Sequence, residues 1–190
     1  MMRTDCGRLH RRALLRVLAA IGVAGFAEGA QAEGLASLAH ALVELAPPQT
    51  PPALSFTTGE GARQTLANYH GKAIVLNLWA TWCAPCVAEM SALNGLAAAV
   101  ANSAIVVLPV SLDVQGVSVV KPFYVSHHLT DLPVLLDPES DIAQALNVQG
   151  IPTTFIMDRE HRIVGRVQGG VAWDRPAAIA RIRKLAGPEA

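Results

Sequence analysis

The feature that most constrains this chain is a short apolar run leading into two cysteines three residues apart. Ala73 to Trp79, bounded by Gly71, has the length and composition of a buried strand. Trp82-Cys83-Ala84-Pro85-Cys86 follows it. From Pro85 to Val100 the apolar residues Val87, Met90, Leu93 and Leu96 recur at helical spacing, which predicts a helix. The cysteines therefore stand where a buried strand gives way to a helix. One helical turn apart, their Cα atoms lie about 5–6 Å from each other, within reach of a disulfide. The first cysteine meets unpaired N–H groups and the positive end of the helix dipole, which favour the thiolate and lower its pKa. Pro85 is tolerated because first-turn N–H groups have no intrahelical partner.

Other uses of the pair fit less well. A bridge enclosing two residues gains little loop entropy, so a purely stabilising role is weak. A zinc site needs two further ligands, and His70, His127 and His128 are scattered. Redox chemistry is the reading that this spacing and placement favour. With 190 residues, 52% hydrophobic and 16% charged, the chain is neither disordered nor fibrous. Three cysteines are too few to staple it, so an apolar core must hold the fold.

The net charge of +0 hides an asymmetry. The first 32 residues hold five arginines against Asp5 and Glu28, leaving ten Lys+Arg against thirteen Asp+Glu, a net of −3, for the rest. That balance excludes a phosphate-neutralising, nucleic-acid-binding surface. Residues 1–32 read as a signal peptide. Arg3, Arg8, Arg11 and Arg12 form a basic start, Val17 to Ala27 an uncharged run, and Ala30-Gln31-Ala32 a cleavage pattern. Eleven helical residues span about 17 Å, short of the ~30 Å bilayer core, so cleavage is favoured over an uncleaved anchor. Arg11-Arg12 resembles a twin-arginine signal. Cys6 leaves with the leader, and Cys83 and Cys86 remain in an exported, periplasmic domain.

Residues 33–52 read as an N-terminal extension: a short helix over Glu33 to Leu45, then a linker extended by Pro47, Pro48, Pro51 and Pro52. The domain itself is expected over residues 53–190. Ala104 to Leu112 is a second strand. Val117 to Leu129 and Glu139 to Leu146 are predicted helices, the second entered through the turn Asp137-Pro138-Glu139-Ser140. Thr153 to Met157 and Ile163 to Gln168 form a hairpin. Pro176 to Leu185 is a final helix with Asp174 as its expected N-cap. Strands alternating with helices imply an α/β fold, a mixed central sheet flanked by helices. Trp79, Trp82 and Met90 are expected around the cysteines, with Trp82 partly exposed and Met90 in the core.

Asn77-Leu78-Trp79-Ala80-Thr81-Trp82-Cys83-Ala84-Pro85-Cys86, with Glu89-Met90 and a second motif, Gly150-Ile151-Pro152-Thr153, resembles the thioredoxin superfamily. The resemblance covers about Ala53 to Leu185. It is strongest to the exported TlpA/ResA-like thiol-disulfide oxidoreductases, which include CcmG/DsbE proteins of cytochrome c maturation. It implies a thioredoxin fold with a central insertion over Leu112 to Val134. It also implies a nucleophilic Cys83, a resolving Cys86, and a cis Pro152 with Ile151 and Trp82 facing substrate. No cofactor is implied beyond the redox-active Cys83–Cys86 disulfide. The implied partners are client proteins with disulfides or CxxC thiols, such as apocytochrome c, and a membrane electron donor of the DsbD/CcdA type, with the enzyme acting as a monomer.

Asn77 departs from cytosolic thioredoxins, which carry a buried aspartate there. An amide cannot accept the resolving thiol's proton. Glu89 is the nearest acid in sequence, and a solvated helix-face charge is the plain alternative to a modulating role. The motif also leaves open a disulfide-forming oxidase and a Cu(I)-delivery module using both thiolates. A peroxidase is disfavoured, since no separate peroxidatic cysteine exists.

Overall fold

The computed structural model describes residues 35–188. The segment read as a signal peptide, its expected cleavage pattern and Cys6 lie outside the described residues. In chain order the elements are α1 (Leu38–Ala41), β1 (Leu42–Gln49), β2 (Ser55–Thr58), β3 (Arg63–Thr65), a 3-10 turn (Leu66–Tyr69), β4 (Ala73–Trp79), α2 (Ala84–Val100), β5 (Ile105–Ser111), α3 (Val117–Ser126), β6 (Leu135–Leu136), α4 (Asp141–Ala145), β7 (Thr153–Met157), β8 (Ile163–Gln168) and α5 (Pro176–Ala186). The strands form one mixed sheet in the order β1-β8-β7-β4-β5-β6-β2-β3.

β4 lies inside the sheet, parallel to β5 and antiparallel to β7, and is buried along its whole length. A strand covered on both faces must be apolar throughout, which is why Ala73 to Trp79 reads as an unbroken run. Its side chains alternate between two cores. Val75 and Trp79 join Met90, Leu93 and Leu96 of α2, Val120 and Tyr124 of α3, and Ile182 of α5. Ile74, Leu76 and Leu78 join Phe56, Leu108, Phe155 and Ile142 of α4 on the other face. Helices therefore cover both sides, as the alternation of elements predicts. By the same alternation Asn77 points toward α2.

The N-terminal segment departs from expectation. Only α1 is helical before residue 42, and Leu42 to Gln49 is an edge strand antiparallel to β8. Residues 42–49 are thus a strand of the sheet rather than helix and linker, and the folded unit starts well before Ala53. β8 offers the partner: Leu42 pairs with Val167 and Glu44 with Gly165, while Arg181 of α5 forms an ion pair with Glu44. Pro47 and Pro48 fall where the register shifts, between Glu44 and Gln49, so their missing N–H groups interrupt a ladder that is already irregular. Leu38 is buried in the core.

Smaller differences concern element ends. α3 stops at Ser126 rather than Leu129. α4 is short, and its first N–H groups are met by Asp137, whose carboxylate accepts from Asp141 N at 3.1 Å and Ile142 N at 2.9 Å. The N-cap of α5 is Arg175 rather than Asp174, because Pro176 already occupies the first turn. β2 and β3, with no alternating signature of their own, complete the far edge.

Candidate active site

β4 ends at Trp79, and a tight turn delivers Cys83 to the N-cap of α2. Cys83 and Cys86 form a disulfide with Cα atoms 5.2 Å apart. Cys86 N–H points at Cys83 Sγ over 3.3 Å, so one unpaired first-turn donor already faces the sulfur that would carry charge on reduction. Cys83 keeps 6% of its surface exposed and Cys86 none, which leaves Cys83 as the sulfur open to attack from outside. Pro85 lies within the first turn.

The turn is held by an acid that the sequence reading did not single out. Buried Asp113 accepts from Thr81 N at 2.9 Å and from Thr81 Oγ1 at 2.6 Å, and Ser111 Oγ donates to it at 2.7 Å. Leu112 N–H donates to Trp79 O at 2.9 Å. The loop after β5 is therefore fastened to the loop that carries the cysteines. An aspartate inside the otherwise uncharged stretch from Ile105 to Val120 was the available signal.

The second motif arrives from the other side. Ile151 O lies 3.7 Å from Cys83 Sγ. The Ile151–Pro152 peptide bond is cis. Thr153 Oγ1 donates to Gly150 O at 2.6 Å, and Gly169 N–H to Pro152 O at 2.9 Å, which ties the loop to the end of β8. Trp82 is exposed beside the disulfide, whereas Trp79 is buried against Phe123 and Tyr124. Met90 is in the core.

Glu89 is not a solvated helix-face charge. It is fully buried, one turn along α2 from Cys86. Oε1 accepts from Asn77 Nδ2 at 2.9 Å; Oε2 accepts from Val171 N at 3.0 Å and Trp173 Nε1 at 2.8 Å. Asn77 also donates to Thr154 Oγ1 at 2.9 Å. Burial pushes the carboxyl up to about 7, against the pull of its three donors. Asn77 and Glu89, two residues singled out from sequence, therefore form one unit behind the disulfide. Val171, Trp173 and Thr154 were missed, because they come from segments remote in sequence. Gly170 makes this junction close: a Cβ there would come 3.3 Å from Pro85 O and 3.0 Å from Leu35 Cδ2.

His70, His127 and His128 are on the surface, away from this site, and among the described residues no group of three or more His, Cys, Asp or Glu is placed to hold a metal.

Taken together, this is a dithiol–disulfide centre: one accessible sulfur at a helix N-terminus, one enclosed sulfur, and a buried carboxyl that titrates near neutrality on the same helix. The AhpC/TSA family model matches residues 47–166. Thiol-disulfide oxidoreductase ResA of Geobacillus kaustophilus is 32% identical over 120 residues, 63% of this chain and 68% of that one. Against several other ResA sequences the chain spans 62% of their length. Among solved structures, a thiol:disulfide interchange protein of the thioredoxin family from Chlorobium tepidum has a TM-score of 0.60 at 27% identity, covering 73% of this chain and 96% of that one. The exposed lipoprotein thioredoxin of Streptococcus pneumoniae has a TM-score of 0.57 at 25% identity, covering 70% and 98%. The chain belongs to the AhpC/TSA family of the thioredoxin superfamily and is a thioredoxin-like thiol-disulfide oxidoreductase related to ResA.

Proposed function

We propose that the protein is an exported reductase that breaks disulfides in specific client proteins, apocytochrome c or a copper-site protein being the class of client. The observation that carries this reading is the Cys83–Cys86 disulfide at the start of α2, with Glu89 one turn behind it. The Cys83 thiolate attacks a client disulfide, bonds to one sulfur and releases the other as a thiolate. Cys86 then attacks Cys83, closing the internal bridge and freeing the reduced client. Cys86 must lose a proton for that second step, and ionised Glu89 is the acceptor available on the same helix. Trp82 and the Ile151–Pro152 loop flank the attacking sulfur of Cys83, and the Ile151 backbone is where an extended client strand would pair.

Two electrons leave with each client, so the bridge must be reduced again from outside. A membrane donor of the DsbD/CcdA type would supply them, since an oxidising exterior offers no thiol buffer. The basic, apolar leader and the relatives' exposed or interchange roles support export. Among the described residues no helix is long and apolar enough to cross a membrane.

The test is capture. With Cys86→Ala the mixed disulfide at Cys83 cannot resolve, and the exported variant is expected to retain one or a few clients carrying CxxC thiols. Recovery of many unrelated proteins would point to a general exchanger instead. A reduction potential near about −120 mV, that of a strong oxidant, would reverse the direction of electron flow and remove the reductase reading.

A further inference from the structure

The end of α2 farthest from the disulfide opens on a cavity of about 420 Å³. Ala99 of α2, Asn102 and Ser103 of the turn after it, Ile105 of β5, Arg159 of the β7–β8 turn and Arg183 of α5 line it. Among the described residues no acidic side chain does. A void of this size falls within the roughly 300–1,000 Å³ of small-molecule sites and has room for on the order of a dozen waters.

Arg159 is the side chain that gives the cavity a chemistry. Its Nε and Nη2 are buried, and neither meets a hydrogen-bond acceptor among the described residues. The acids on either side of it in sequence are engaged by Arg162. Asp158 accepts from Arg162 Nε at 2.8 Å and pairs with its Nη2 at 2.7 Å, and Glu160 accepts from Nη2 at 3.2 Å. Nε–H and Nη2–H project in parallel from one edge of a guanidinium and match two oxygens of a single oxyanion. A cation with both of these donors dry and unmet costs stability, and an anion supplied from outside the chain would return it. Arg183 brings a second guanidinium to the same cavity, anchored by its Nη2, which donates to Ala99 O at 3.2 Å. Ala99 and Ile105 contribute apolar surface, and Asn102 an amide.

We propose that this cavity binds a small phosphate monoester, with the phosphate on the Arg159 fork, Arg183 as the second cation, and the organic body against Ala99 and Ile105. Two guanidiniums favour a phosphate over a carboxylate, because the phosphate carries about −1.5 to −2 at neutral pH and offers three acceptor oxygens. The site is separate from the exchange reaction. Sixteen residues of α2 at about 1.5 Å each put it roughly 24 Å from the cysteines.

The experiment titrates the oxidised full chain with phenyl phosphate by calorimetry at pH ~8, with benzoate as the carboxylate control. Saturable one-to-one binding is expected, at least about tenfold tighter for phenyl phosphate than for benzoate. Affinity should fall severalfold by pH ~5, as the phosphate takes up its second proton near pH ~6. Arg159→Lys keeps the charge and removes the fork, and is expected to lose roughly tenfold in affinity; Arg159→Met should abolish binding. Without ligand, Arg159→Met should melt no lower than the parent, since it removes an unmet cation rather than a contact. In saturating phenyl phosphate only the parent should gain thermal stability. The rate at which the reduced protein reacts with dipyridyl disulfide should be the same with and without phenyl phosphate. No binding, benzoate binding as tightly, or Arg159→Met binding like the parent would overturn the proposal. A fall in the dipyridyl disulfide rate in step with occupancy would place the anion at Cys83 and overturn it as well.

Discussion

Glu89 receives three hydrogen bonds and faces no cation, and that combination sets its behaviour with pH. The donors favour the ionised form; burial opposes it more strongly and lifts the carboxyl to about 7. The folded protein therefore holds a proton here that the unfolded chain has already released above pH ~4.5. Stability from this group is fully present below that value and is lost as pH rises through about 7. At about 1.4 kcal/mol per pH unit, the loss between pH 5 and 8 is on the order of 3 kcal/mol. Urea unfolding of the oxidised protein is expected to show that decline. Glu89→Gln, less stable at acid pH because one of its amide faces meets a donor, should show a nearly flat profile over the same window. Release of a client from Cys83 should rise through pH 7 in the parent and lose that step in the variant; parallel profiles would remove Glu89 from the proton path. On the proposed proton path Asn77 needs no acidity of its own, because its amide donates to the Glu89 carboxylate.

At the scale of elements, α1 and β1 show most clearly what a local pattern can and cannot reveal. Leu38 is buried although it belongs to the extension that reads as lying outside the domain. Leu38→Ala is expected to cost about 2–4 kcal/mol in urea unfolding, as for any large core residue. A loss below about 0.5 kcal/mol would return the segment to the status of a solvated extension. β4, α2, β5, the β7–β8 hairpin and α5 were legible because each carries its own periodicity or turn chemistry. β1 was not, because what makes it a strand is the free edge of β8, and Leu42 meets Val167 only after the whole domain has closed. The site divides in the same way. Cys83, Cys86, Trp82 and Pro152 announce themselves in contiguous motifs. The partners of Glu89 come from Val171 and Trp173, and their meeting is a product of packing.

Over the whole molecule, the two ends of α2 are differently furnished. Its first turn holds the disulfide, while near its last turn Arg183 of α5 donates to Ala99 O. At about 1.5 Å per residue the two places are roughly 24 Å apart. The C-terminal helix thus finishes far from the chemistry. The N-terminal strand does not start far from it: Ala36 pairs with Val171, whose own N–H holds Glu89, and Leu35 lies against Gly170 beside Pro85. Leu35 therefore sits beside the first turn of α2 that carries the disulfide, and each residue joined before it adds at most about 3.5 Å of reach. An affinity handle placed at the front is expected to hinder bulky clients while sparing small disulfides, and the same handle at the back to hinder neither. Side-by-side turnover of the two tagged forms on a protein and on a small-molecule oxidant would measure that shadow directly.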